Sequence, residues 1–193
     1  ASASRRPSPR KLNANMIMNS ASVGSGLALF DATTVIRDSV IDRNGNNGIY
    51  IDGGEVNIAR SSISANLSDG VFMQGGAQVT IVNTTVYNNV GDGIDSDGAP
   101  SDIIQLVNST VINNGDVGVE LHDGSYSLSN NILANNVAND CRETSTGAVL
   151  FGGSNIIENN DNCADLSGTL IVDPQLAGQR VNAFGVRYYL PSF

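Results

Sequence analysis

Behind a glycine, apolar residues alternate with outward-facing ones five times along the chain: Gly26-Leu27-Ala28-Leu29-Phe30, Gly48-Ile49-Tyr50-Ile51-Asp52, Gly70-Val71-Phe72-Met73-Gln74, Gly93-Ile94-Asp95-Ser96-Asp97 and Gly118-Val119-Glu120-Leu121-His122. A period of two predicts strands whose successive side chains face opposite ways, and no run has the length or spacing of an amphipathic helix. The last four glycines lie 22, 23 and 25 positions apart, a period that signals stacked coils rather than a globule built on distant pairings.

The rest of each repeat keeps the same register. A second strand carries the apolar pairs Thr34/Ile36, Val56/Ile58, Val79/Ile81, Ile104/Leu106 and Tyr126/Leu128, and a third apolar site recurs as Ile41, Ile63, Val86, Val111, Ile132 and Ile156. Three residues past the third site comes an Asn-rich corner, Asn44, Asn66, Asn89, Asn114 and Asn135; Asn tolerates turn conformations that most residues avoid. Three short strands in a coil of about 22 residues predict an all-β fold, a parallel β-helix in which each coil buries its inward residues against the next. Leucine-rich repeats would need leucines at offsets that are absent, and ankyrin or tetratricopeptide repeats would need helix formers.

These residues resemble the right-handed parallel β-helix superfamily, the pectate-lyase-like proteins, and in particular its exported members with degenerate S/T-x-I-x-x-N and G-I/V-x-I/L repeats. The resemblance covers roughly residues 12 to 165. Beyond it, Asp173-Pro174-Gln175-Leu176 and Tyr188-Tyr189-Leu190-Pro191 resemble the D-P-x-L and Y-x-L-P pattern that ends many exported β-helix proteins. The division expected is a basic, disordered segment over 1–11, the β-helix over 12–165 and a cap over 166–193, since a solenoid must cover its exposed end. The start of the stack lacks a recognisable cap, so either the chain is a fragment or its open end is covered by another subunit in a homo-oligomer.

Charge narrows the partners. The formal net charge is -9, with one lysine, Lys11, and one histidine, His122, whereas a nucleic-acid surface needs clustered basic residues. The basic cluster Arg5, Arg6, Arg10 and Lys11 sits in a Ser/Pro-rich stretch and reads as a linker, with a tether to an acidic surface as the sharper alternative. No apolar stretch is long enough to span a bilayer. Cys141 and Cys163 lie 22 positions apart, one coil, which places their Cα atoms about 4.8 Å apart and inside the disulfide window. A disulfide there implies an oxidising compartment, hence a secreted or cell-surface protein; free buried thiols are the alternative. The sequons at Asn66, Asn83 and Asn108 are by-products of an Asn- and Ser/Thr-rich repeat more readily than glycosylation sites.

Candidate chemistry lies on the outward face of the Gly-led strands. There Tyr50, Phe72, Asp95 and Glu120 form one column, and Asp52, Gln74, Asp97 and His122 the next. Tyr50, Asp52, Phe72 and Gln74 are candidate polysaccharide-binding residues, because aromatic faces stack on sugars and polar side chains bond hydroxyls. Asp95, Asp97, Glu120 and His122 are candidate catalytic residues: Asp95 and Glu120 on adjacent coils would be about 4.8 Å apart at Cα and Asp95 and Asp97 on one strand about 6.7 Å, and carboxylates about 5 Å apart suit a retaining glycosidase, those above about 6.5 Å an inverting one. Asp95, Asp97 and Glu120 also form a candidate Ca2+ set, since Ca2+ takes oxygen ligands. The insertion Gly98-Ala99-Pro100-Ser101-Asp102 beside them is placed to shape a cleft.

The family comparison pulls the other way. Polygalacturonase-like hydrolases carry N-T-D, an Asp-Asp pair, G-H-G and R-I-K, of which only Gly93-Ile94-Asp95 and His122-Asp123 are echoes. Lyases of the fold use an Arg or Lys base, and Arg37, Arg43 and Arg60 map to other strands or corners. Binding of polysaccharide therefore ranks first and cleavage, by hydrolysis or by a lyase route, second. A structural or ice-binding solenoid ranks last, because the Ser62, Thr85, Thr110 column is short and interrupted by Val40 and Asn131.

Overall fold

The computed structural model describes residues 10–12, 15–17, 26–145, 149–161, 163, 168–176, 180–181 and 187–188. It is a parallel β-solenoid of three strand columns. Gly-led strands make the first column (Val71–Gln74, Ile94–Ser96, Val119–Leu121, Cys141–Glu143, Asn160–Asp161), and Gln78–Val82, Ile103–Val107, Ser125–Ser129 and Val149–Gly153 make the second. Leu27–Arg37 and Ile49–Ala59 run through both columns without a break and join them into one 12-stranded sheet. The third column is a separate 8-stranded sheet that includes Val40–Asp42, Ser62–Ser64, Thr85–Tyr87, Thr110–Ile112, Ile132–Ala134 and Ile156–Ile157. The first coil starts at Arg10–Leu12, paired with Thr34–Ile36, two residues earlier than Leu12.

Alternation fills the interior as expected. Ile49, Val71, Ile94 and Val119 stack in the first column and Ile36, Ile58, Ile81, Leu106 and Leu128 in the second, all within one core. The third column corrects the sequence reading in its upper coils. Val111 pairs with Leu133 and Leu133 with Ile157, so these residues face inward, and Ile132 and Ile156 face out beneath Thr110. Both runs are apolar at consecutive positions, and period two cannot choose between them. The corner residue shifts with them, from Asn135 to Asn136.

That corner is a hydrogen-bonded ladder. The Nδ2 of Asn44, Asn66, Asn89 and Asn114 each donates to Oδ1 of the asparagine one coil on, at 2.8 to 2.9 Å, and the series ends on Asn136 donating to Asp140 Oδ1 at 2.6 Å. The same Oδ1 atoms accept the buried backbone N–H of the preceding corner. A second ladder, Ser39, Ser61, Thr84, Ser109, Asn131 and Asn155, does this at the other end of the third column. Corner amides buried by stacking would otherwise lack partners. Asn131 thus belongs to a corner, and the sequon residue Asn66 is fully buried in its ladder. The leading glycine answers to the ladder: a Cβ on Gly70 would lie 2.6 Å from Gly93 O and 2.8 Å from Asn89 Nδ2.

As far as the strand Cys141–Glu143, variation in coil length is confined to the corner between the first and second columns. Gly53 and Gly54 span it in one coil, Gly75 to Ala77 in the next, then Gly98 to Asp102, then Asp123 and Gly124. The longest version is tied down by Asp102, whose carboxylate accepts the N–H groups of Gly76, Ala77 and Ala99.

Past Cys163 the chain adds Leu170–Ile171 to the third sheet beside Ile156–Ile157. Leu176 then packs on the outer side of that sheet against buried Tyr87, Ile112 and Ala134. Ser62 and Thr85 are buried there too, so this column presents no exposed hydroxyl ladder. Tyr189, Leu190 and Pro191 lie outside the described residues, as do Arg5 and Arg6. Cys141 and Cys163 form the disulfide, with Cα atoms 5.9 Å apart. Cys141 pairs in register with Asn160 rather than with Cys163; the cross-link reaches past the strand to the short final turn.

Asn89→Ala removes the acceptor of two buried N–H donors and is expected to lower stability by about 2 to 5 kcal/mol; a loss below about 1 kcal/mol in chemical denaturation contradicts the ladder's role. Replacing both cysteines by serine is expected to cost about 3 kcal/mol, with faster hydrogen exchange confined to the last coil. Uniform protection would refute that local role.

Candidate functional site

Register carries the outward residues of the Gly-led strands into two rows. The first is Ala28, Tyr50, Phe72, Asp95, Glu120, Arg142 and Asp161, each paired with the next. The second runs Phe30, Asp52, Gln74 and, beyond the paired strand ends, Asp97, His122 and Thr144.

The lower half is aromatic. Tyr50 and Phe72 stack with ring centroids 5.5 Å apart and planes 9° from parallel, and Phe30 leans on Tyr50 at 5.7 Å and 49°. Inner ring faces are therefore used on each other, and the strip offers ring edges and exposed Phe30 to solvent. Beside it Gln74 Nε2 donates to Asp52 Oδ2 at 3.1 Å. All four residues expected to bind sugar thus come together, and Phe30 extends them; its place behind Gly26 is the signal for it.

The upper half is charged. Asp95, Glu120 and His122 each offer one ligand atom within 4.8 Å of the other two. His122 Nδ1 is hydrogen-bonded to Thr144 Oγ1 at 2.6 Å, and its Nε2 lies 3.8 Å from Asp95 Oδ1. Asp95 Oδ1 is buried without a hydrogen-bond partner. Asp97 is exposed and stands outside this group, so the all-oxygen set Asp95, Asp97 and Glu120 expected for Ca2+ is not assembled; His122 takes the place of Asp97.

A basic residue does lie on this face, contrary to the sequence reading. Arg142 pairs with Glu120 in the ladder, with Nη1 3.4 Å from Glu120 Oε1 and Nε 3.7 Å from Asp161 Oδ2. Asp140 stands where a glycine leads the other repeats, which hid the sixth strand; the signal was its spacing, 22 residues past Glu120.

Beneath the rows a third chain of side chains closes the strand entrances. Asp69 N–H donates to Asn47 Oδ1, Asp92 N–H to Asp69 Oδ1, and Val117 N–H to Asp92 Oδ1. These half-buried carboxylates act on the site above. Burial first, then the charges of Asp92, Asp69, Glu120 and Asp97, pushes Asp95 up to about 8. Burial, opposed by the Val117 hydrogen bond and reinforced by Asp69, Glu120 and Asp116, pushes Asp92 up to about 7. Burial is the larger cause in both, and repulsion from the neighbouring acids adds to it.

The family model described as "Right handed beta helix region" matches residues 10–162. No curated protein matches the chain.

Asp92 and Asp95 hold protons in the folded state that the unfolded chain, with values near 3.8, releases. Their contribution to stability is complete below about pH 4 and is lost as pH rises through 7 and 8. The thermal midpoint is expected to fall between about pH 5 and pH 9, and Asp95→Asn to flatten that fall; a wild-type midpoint that rises over this range contradicts it.

Proposed function

The chain belongs to the right-handed β-helix family, and on that scaffold we propose that it is an exported protein that binds polysaccharide along the outward face of its Gly-led strands. The observation that carries this reading is the continuity of the face: the aromatic row of Tyr50 and Phe72, flanked by Phe30 of the second row, runs in one register into Asp95, Glu120 and Arg142. A glycan lying along it meets apolar ring edges first, then carboxylates that accept its hydroxyl hydrogens and a guanidinium that donates to its oxygens. The Cys141–Cys163 bond supports export, because such a bond persists in oxidising compartments.

Cleavage is the second reading, favoured by one specific arrangement. Asp95, protonated near neutral pH, faces Glu120, which Arg142 pairs; two carboxyls in unlike environments are the pattern of an acid beside a nucleophile. Their ligand atoms lie within 4.8 Å, the spacing of a retaining rather than an inverting pair. Arg142 also supplies the basic residue that a lyase route needs.

Retention on a panel of insoluble polysaccharides separates the readings. Tyr50→Ala with Phe72→Ala is expected to weaken retention about tenfold, from the loss of roughly 1.4 kcal/mol of aromatic contact; unchanged retention sinks the binding surface. For cleavage, Asp95→Asn or Glu120→Gln is expected to abolish reducing-sugar or unsaturated-product release while binding survives. Wild-type protein that retains a glycan and releases nothing from it leaves binding alone.

A further inference from the structure

We propose that Asp95, Glu120 and His122 form a binding site for one divalent transition-metal ion of the zinc type. This goes beyond the glycan reading and does not depend on it. The ladder positions the ligands: Asp95 and Glu120 are direct partners on adjacent coils, and His122 follows Glu120 by two residues on the same outward side. The three ligand atoms converge within 4.8 Å without rearrangement of the backbone.

The second observation is Asp95 Oδ1. It is buried, has no hydrogen-bond donor, and faces His122 Nε2 across 3.8 Å. That gap is too long for a hydrogen bond. It is a few tenths of an ångström longer than the ~3.4 Å between two donors that share one tetrahedral ion at about 2.1 Å each, a difference that side-chain rotation closes. An orphaned, buried carboxylate oxygen aimed at an imidazole nitrogen is a half-built coordination shell.

The imidazole is prepared for the same role. Thr144 Oγ1 holds Nδ1 at 2.6 Å, which fixes the ring and leaves Nε2 as the nitrogen turned toward the carboxylates. Metal-bound histidines characteristically have their other nitrogen held in this way. Arg142 does the corresponding service for Glu120, engaging Oε1 and leaving Oε2 available. Donor chemistry selects the ion: one nitrogen with two carboxylate oxygens suits Zn2+ or its neighbours, whereas Ca2+ takes oxygen throughout. With three protein ligands, a fourth position stays open to water or to a bound hydroxyl.

The test is calorimetric titration of the chelator-treated full chain with Zn2+, and separately with Ca2+. One Zn2+ per chain is expected, with Ca2+ at least tenfold weaker. His122→Ala and Glu120→Gln should each weaken Zn2+ by at least a hundredfold, Thr144→Val by about tenfold, and Asp97→Asn should change nothing. Far-ultraviolet circular dichroism checks that each variant keeps its fold, and the d–d absorption of Co2+ in the wild-type chain reads the nitrogen–oxygen shell directly. Absence of Zn2+ binding, or binding indifferent to His122→Ala, overturns the site. Neither result bears on glycan retention by Tyr50 and Phe72.

Discussion

Everything in this molecule depends on handing corner amides from one coil to the next. A stacked coil buries the N–H groups of its turns, and here nearly every such group at two corners is met by an Asn, Ser or Thr side chain of the following coil. The ladder leaves no room opposite for a Cβ, hence the leading glycine at Gly70. Over the coils it spans it also holds two corners to constant length, so insertions collect at the third, where Gly98 to Asp102 folds around the Asp102 carboxylate.

A fixed register turns sequence departures into neighbours. Positions 22 to 25 residues apart become direct partners, and one outward row changes from aromatic to acidic to basic in adjacent coils. The same stacking brings Asp69 of the preceding coil and Glu120 of the next to Asp95, beside Asp92 three residues before it. A half-buried acid surrounded by acids becomes a proton carrier, while Glu120, one coil away, is given Arg142.

The period, the three columns, the inward residues of the first two and the cysteine pairing were all legible in the sequence, because each follows from alternation and turn chemistry. Consecutive apolar residues at Ile132-Leu133 and Ile156-Ile157 carry no alternation, and there the inward residue was misplaced by one. Arg142 was missed because Asp140, closing the ladder where no further asparagine follows, replaces the glycine that marks the repeat elsewhere. Asp97 and His122 occupy the same place in adjacent coils, each just beyond its strand, and of the two the histidine converges with Asp95 and Glu120. The packing of Leu176 on Tyr87, Ile112 and Ala134 joins residues far apart in the chain with no shared period.

The central claim is that burial and the charges that stacking brings alongside make the Asp95 carboxyl unlike an ordinary one. Its most direct test is a carboxyl carbon-13 titration of Asp95 in metal-free protein. A midpoint near 8 is expected, moving downward when Asp69→Asn or Glu120→Gln removes a stacked charge. A midpoint in the ordinary carboxylate range, indifferent to both substitutions, would contradict it.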